Sequence, residues 1–537
     1  MKLRSDDDFP AGRMGRYRSV AAHRWTIPHR HSTLIPRSEP QPREICPLML
    51  VDALLDANQR CPRSLAVADG SRMLTYKQLT LLAAVFRDVI SRTTECPRVG
   101  IMLPASTAFP AVFFGALWSG RTAIPLNFLL QADELTRIIA DAQIDCVFTV
   151  GHFRELVEAL PVRAVYLEEL SLKRRMILAM LKRRPPVPSI HPNDTAVILY
   201  TSGTTADPKG VELTYGNLHS NCVDAIYSLD IRPGHIFLNI LPPFHVFGLT
   251  ANVLVPVFLG ASVHAIPRFN PLAAARTVAE HKITVILAIP SMFAAILRTK
   301  STKPDTFRSI YLAISGGEPL PDSVRCGFAE RFGVTLRQGY GLTETSPVVS
   351  AGSASVNRDG TVGKPIRHVQ VRIAGADGTE LPVGQDGEIF IHGPNVMKGY
   401  YRKPEETRRV LDAQGWFTTG DIGRFDADGF LSITGRAKEM LIIGGENVFP
   451  REIEAVLETH DAVLQAAVIG VPDGLRGEAP VAFVIPKKDV TVTADELRNF
   501  ARRKLAGFKT PKRIEIREDL PTGPTGKILK RKLRELL

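Results

Sequence analysis

Long apolar runs are missing from this sequence. The most apolar stretches, residues 108–118 and 249–263, are too short or are interrupted by Asn252 and Pro256, which excludes an integral membrane protein built on spanning helices. Cysteine is scarce as well: the six in 537 residues (Cys46, Cys61, Cys96, Cys146, Cys222 and Cys326) are scattered without metal-ligand spacing. That usage excludes a disulfide framework and leads us to expect a reducing, cytoplasmic setting. No apolar core of a signal peptide follows the first basic residues, and Asp6, Asp7 and Asp8 argue against an organellar transit sequence. Internal repeats and long low-complexity tracts are absent too.

What is present is a soluble composition, with 45% hydrophobic and 23% charged residues over a length that implies two or more domains. The net charge of +12 invites a nucleic-acid or anionic-surface reading, but much of the excess is local, and no nucleic-acid partner is expected. Residues 1–48 are rich in Arg, His and Pro without hydrophobic periodicity and read as a basic, disordered extension. Residues 173–184 place an apolar centre between two basic clusters. Such a segment reads either as an exposed helix with a solvated charged face or as a weak peripheral contact with anionic headgroups.

Between residues 74 and 151 the chain alternates helical and strand-like stretches: helices over 76–90, 106–119 and 132–142, strands over 98–103, 122–125 and 146–149. The alternation predicts an α/β fold with parallel pairing. A strand over 195–200 then delivers the segment Tyr-Thr-Ser-Gly-Thr-Thr-Ala-Asp-Pro-Lys-Gly at 200–210. Its hydroxyls, the flexible backbone at Gly203 and Gly210 and the cation of Lys209 suit a polyphosphate. It is not a Walker A loop, because Lys209 lies between Pro208 and Gly210. The alternation resumes with a strand over 211–214 and a helix over 215–229.

Further on, Pro-Pro-Phe-His-Val-Phe-Gly at 242–248 opens a stretch, 244–267, without Asp, Glu, Lys or Arg. Phe247, Ala251, Leu254, Val255 and Phe258 fall at helical spacing, a face that lines either an apolar tube or the ordinary core. After a strand over 310–314, the turn Ser315-Gly316-Gly317-Glu318 has too few side chains to keep a flat ring from its backbone. The turn at 339–345, after a strand over 334–337, offers Tyr340 to stack on a purine and Glu344 to hold a hard cation. A hairpin turning at 426–429 brackets Asp421, suited to ribose hydroxyls, and Arg436. Near the end Lys527 sits at the tip of a Gly/Pro loop, ahead of a basic helix over 528–537.

In this order the motifs resemble those of the adenylate-forming superfamily, which spans acyl-CoA synthetases, luciferases and peptide-synthetase adenylation domains. One departure is Ala206, where that family usually has Gly. The string Gly-Arg-Ala-Lys-Glu-Met-Leu-Ile-Ile-Gly-Gly-Glu-Asn-Val-Phe-Pro at 435–450 is similar to the acyl-CoA synthetase branch, and the 242–250 string to fatty acyl-CoA and acyl-carrier-protein synthetases. The likeness begins near Met49, so a mis-assigned start is one reading of the extension. It implies a large N-terminal domain over 49–437 made of helix-flanked sheets, and a small mobile α+β lid over 438–537 hinged at Lys438. A carboxylic acid would attack ATP to give an acyl adenylate and pyrophosphate; a thiol, that of coenzyme A or an acyl carrier protein, would then displace AMP.

By motif position the resemblance assigns phosphates to Thr201, Ser202, Gly203, Thr204, Thr205 and Lys209. It assigns adenine to Gly316, Gly317, Glu318 and Tyr340, with Thr343 beside them, and ribose to Asp421 and Arg436. Glu344 and Thr201 would hold Mg²⁺, and Lys527 would bridge carboxylate and nucleotide. His245 becomes a gate to the acyl tunnel, and Gly444 and Gly445 let the pantetheine arm pass. Amino-acid-activating relatives keep an Asp soon after the Phe of the motif around Phe244. Residues 246–248 have none, so an apolar acid, a medium- or long-chain fatty acid, is expected. A catalytically lost ATP or acyl sensor is disfavoured by the presence of Lys209, Glu344, Asp421, Arg436 and Lys527.

Overall fold

The computed structural model describes residues 50–181, 184–201, 208–375, 377–444, 446–474, 476–488, 490–522 and 528–537. The chain divides into Met1–Cys46 and Pro47–Leu537, and all described residues belong to the second unit. The expected features at residues 1–48, the loop residues Ser202, Gly203, Thr204 and Thr205, and Gly445 and Lys527 lie outside the described residues.

Among the described residues the strands form sheets of nine, seven, four and five strands. The seven-stranded sheet has the expected parallel centre, with Arg98–Met102 between Thr122–Pro125 and Cys146–Thr149, and Arg163–Tyr166 outside. Helices cross between these strands because their apolar faces have nowhere else to go. Ala108–Trp118 is apolar all round and accordingly buried along almost its whole length. Tyr76–Thr93 packs beside it, started by a reciprocal capping box between Thr75 and Gln78.

Pairing departs from parallel at Thr195–Thr201, which runs antiparallel to Lys209–Thr214. These two strands are therefore the arms of a hairpin, since too few residues separate them for a crossover. Thr201 and Lys209 are cross-strand partners at its base.

The nine-stranded sheet carries Val285–Ala288, Leu312–Ser315 and Leu336–Gly341 side by side and parallel. Their carboxyl ends bring the Gly-rich turn at 316–317 and Tyr340 to one edge, where open α/β sheets generally take ligands; Tyr340 lies inside its strand, which runs on past the expected 334–337, and not on a turn, because it pairs with Ser350. The expected hairpin is present, Phe417–Phe425 pairing antiparallel with Leu431–Arg436.

Two further details differ from expectation. The stretch from Val246 to Leu259 is broken by a π-helical turn, Thr250–Leu254, between short α-helices. The wider turn shifts the register, so Leu254 and Val255 enter the core while Phe247 stays half-buried. The basic C-terminal helix is also shorter, Lys530–Leu533 followed by a 3-10 turn. Ile528 is held back in a bridge to Thr522, and Lys530 turns inward to Glu439 and Glu454.

The largest apolar core draws on residues from Leu50 to Leu431. Residues from Leu441 onward pack into cores of their own, around Ile453, Val468 and Leu497 and around Phe483 and Leu533.

Candidate active site

The hairpin Phe417–Phe425/Leu431–Arg436 sets Asp421 directly opposite Arg436. Asp421 is buried; its Oδ1 accepts from Arg436 Nε at 2.8 Å and its Oδ2 from the Tyr340 hydroxyl at 2.6 Å. The carboxylate raises the Arg436 guanidinium above its ordinary value, and burial, then the same carboxylate, raises the Tyr340 phenol well above its own. Tyr340 is thus a neutral donor and Arg436 a firm cation.

Glu344 lies on the 3-10 turn Thr343–Thr345, its Oε1 accepting from the Tyr400 hydroxyl at 2.9 Å. Loss of water raises the Glu344 carboxyl; hydrogen bonds from its own backbone N–H and from Tyr400, and the Arg436 charge, partly offset this. Tyr400 reaches it because Gly399–Tyr400 pairs with Lys209–Thr214 and Tyr401 N–H donates to the Gly210 carbonyl at 2.7 Å. The same ring lies 5.5 Å from Lys209 Nζ. Lys209 is ion-paired with Glu406, whose carboxyl it holds below the usual range, and Lys403 stands 3.8 Å from that carboxylate.

Gly317 has φ +83°, a left-handed backbone that favours glycine. A Cβ on Gly316 would come within 3.3 Å of the Phe247 ring and 3.6 Å of the Gly339 carbonyl. That one close approach joins three stretches singled out in the sequence: residues 242–248, the Gly-rich turn and the turn at 339–345. His245 sits at the N-cap of the helix Val246–Leu249, its ring 4.8 Å from Phe244, which packs edge-on to Phe128.

The expected residues Lys209, Tyr340, Glu344, Asp421 and Arg436 therefore gather, directly or through Tyr400. Gly444 stands apart on an exposed turn at φ +63°, with open space where a Cβ would be. Tyr400, Glu406 and Lys530 were not legible beforehand. Their partners lie far off in the chain, and no local spacing marks a tyrosine that will meet a carboxylate.

Glu344 also fits a hard cation: its carboxylate accepts from the neutral Tyr400 hydroxyl, and among the described residues no Lys or Arg pairs directly with it. No cluster of three or more His, Cys, Asp or Glu able to hold a metal occurs among the described residues, so such an ion would need substrate phosphates to complete its shell.

Comparison with known proteins bears directly on this arrangement. Residues 54–401 match the family model of AMP-binding enzymes, and residues 452–527 that of the AMP-binding enzyme C-terminal domain. The chain belongs to the AMP-binding enzyme family. Among its relatives, a feruloyl-CoA synthase of Amycolatopsis sp is 34% identical, with 88% of this chain and 96% of that protein aligned. A long-chain-fatty-acid–CoA ligase of Bacillus subtilis (strain 168) is 33% identical over 93% of this chain and 96% of its own. The crystal structure of ATP-bound MatB from Rhodopseudomonas palustris superposes with a TM-score of 0.83 at 29% identity, covering 90% of this chain and 98% of that one. In this AMP-binding enzyme Tyr340 and Glu344 lie at and just past the carboxyl end of Leu336–Gly341, which runs parallel beside Leu312–Ser315.

Proposed function

We propose that this enzyme is an AMP-forming acid–CoA ligase: it joins a carboxylic acid to ATP as an acyl adenylate, then passes the acyl group to coenzyme A. The observation that carries the reading is the joint placement of Tyr340, Asp421 and Arg436 beside Glu344, with Lys209 on the other side of Tyr400. Tyr340 and Gly316, Gly317 and Glu318 frame the adenine, with Thr343 beside them; Asp421 and Arg436 hold the ribose. Lys209, Thr201 and the loop residues Ser202, Gly203, Thr204 and Thr205 hold the phosphates. Phosphoryl transfer of this kind needs positioning and neutralised charge more than a covalent catalyst. Mg²⁺, held by Glu344 and Thr201 with the phosphates, would supply charge neutralisation when bound. Lys527 brings a further cation from the lid, and Gly444 and Gly445 leave a path for pantetheine.

Division of labour between domains belongs to the same proposal. The separate cores beyond Leu441 support a lid over 438–537 that turns at Lys438 against 49–437.

For the acid we propose a medium- or long-chain fatty acid, taken up past His245 along the carboxylate-free stretch 244–267. Phe247 against Gly316 gives that path an apolar wall. A second reading, an aromatic acid, is favoured by the feruloyl-CoA synthase relative. An acyl carrier protein in place of coenzyme A is a further alternative. A pyrophosphate-release panel of fatty acids of increasing length, ferulate and amino acids tests the choice. Turnover should climb with chain length, each buried methylene adding about 0.8 kcal/mol until the path ends. Ferulate or an amino acid outperforming every fatty acid would overturn it.

A further inference from the structure

The helix Leu172–Met180 takes no part in the site above, and its two faces differ. Leu172, Met176 and Ala179, one face at spacings of four and three, pack with the main core beside the helix Tyr76–Thr93. On the opposite side Ile177 is 61% exposed, Leu178 47%, Met180 63% and, just past the end, Leu181 82%. The helix has therefore already used its core-facing stripe, and these large apolar side chains remain in water.

Lys173 and Arg174 are exposed on the same outer side one turn earlier, and Arg184 is exposed beyond it. Among the described residues no carboxylate pairs with Lys173 or Arg174. The acids nearest in sequence are committed elsewhere: Glu169 to Arg154 at 2.7 Å, and Glu168 to the Gly151 N–H at 3.1 Å. The chain that follows is anchored, Trp118 Nε1 donating to the Pro186 carbonyl at 3.2 Å, so the patch rides on a fixed support.

We propose that this helix is a docking surface for an anionic lipid bilayer, with Ile177, Leu178, Met180 and Leu181 entering the headgroup boundary and Lys173, Arg174 and Arg184 meeting the lipid phosphates. The pairing of charge and apolarity selects the partner. A second copy would bring like charges face to face. A nucleic acid would answer the cations but leave the aliphatic side chains in water. A bilayer with anionic headgroups answers both at once.

The test is co-sedimentation of the full chain with phosphatidylcholine vesicles with and without phosphatidylglycerol. Binding should require phosphatidylglycerol and fall at about 0.5 M NaCl. Ile177→Gln with Leu181→Gln should weaken partition by about tenfold or more. Lys173→Glu with Arg174→Glu should abolish the preference for anionic vesicles. Both double variants should keep full thioester formation in solution and an unchanged melting temperature, because every altered side chain is exposed. Equal binding of wild type and variants, or binding indifferent to phosphatidylglycerol, would overturn the proposal. So would a concentration-dependent dimer in sedimentation velocity that the Gln variant disperses, since a second copy would then be the occupant.

Discussion

Tyr340 donates its hydroxyl to Asp421 Oδ2 at 2.6 Å across 81 residues of chain. This bond ties the strand proposed to face adenine to the carboxylate proposed to face ribose. Because Arg436 holds the other oxygen at 2.8 Å, Asp421 is oriented before any nucleotide arrives.

Tyr340→Phe should keep the ring and lose that orientation. The KM for ATP is expected to rise by about tenfold or more, the typical effect of losing a hydrogen bond to a charged group, with a smaller change in kcat. Steady-state kinetics against ATP checks this; a fall in melting temperature with an unmoved KM would assign the bond to stability alone.

Glu344 has its carboxyl raised chiefly by loss of water, so its charged form costs the folded state. A carboxyl raised on folding contributes stability that is greatest below its unfolded value and is lost as pH rises through its folded one. Glu344→Gln should therefore melt higher than wild type near neutral pH, with the gap closing on acidification. The same change should slow adenylate formation by about two orders of magnitude through loss of a site for positive charge. Melting curves from acid to neutral pH, paired with pyrophosphate release, separate the two effects.

Lys209 is ion-paired with Glu406 and, in the proposed site, would be shared with an incoming phosphate. Both partners are about 30% exposed, a setting where ion pairs contribute up to about 1 kcal/mol. Glu406→Gln should release the lysine and tighten ATP binding by up to about fivefold, whereas Lys209→Met should weaken it. Equilibrium binding of ATP is the measurement. Equal weakening by both changes would mean that Glu406 positions Lys209 rather than competing for it.

The proposed lid should separate the two half-reactions. Lys527→Ala should lose about 10²–10³ in adenylate formation yet still transfer acyl from supplied acyl adenylate to the thiol. Gly445→Leu should still release pyrophosphate but form little thioester, because the side chain would obstruct the pantetheine path. Both residues lie outside the described ones, but each has described neighbours. Thr522 and Ile528 pair in a bridge, and Gly444 N–H donates to the Arg476 carbonyl at 2.8 Å. Equal loss of both steps in both variants would sink the two-faced lid.

Several contributors to the site were readable along the chain because local sequence marks the short strands that carry them and the turns beside those strands. Leu312–Ser315 before Gly316, Leu336–Gly341 around Tyr340 and Phe417–Phe425 around Asp421 are patterns that local sequence imposes through burial and turn chemistry. The parallel centre of the seven-stranded sheet followed from the same alternation. Two things lay beyond that reach. A π-helical turn at Thr250–Leu254 cannot be counted from a 3.6-residue period, so the buried face beyond Phe247 had to be seen. Nor does any spacing say that Tyr400 will donate to Glu344, that Glu406 will take Lys209, or that Lys530 will turn away from water toward Glu439 and Glu454.

Sequence by itself determined which chemical groups this enzyme brings, since hydroxyls, glycines and charges at strand ends are a local matter. Only the tertiary structure decided which of them meet. Glu344 and Tyr400 face each other because Gly399–Tyr400 pairs with Lys209–Thr214, a non-local choice made by the burial of whole sheets rather than by any residue in either segment.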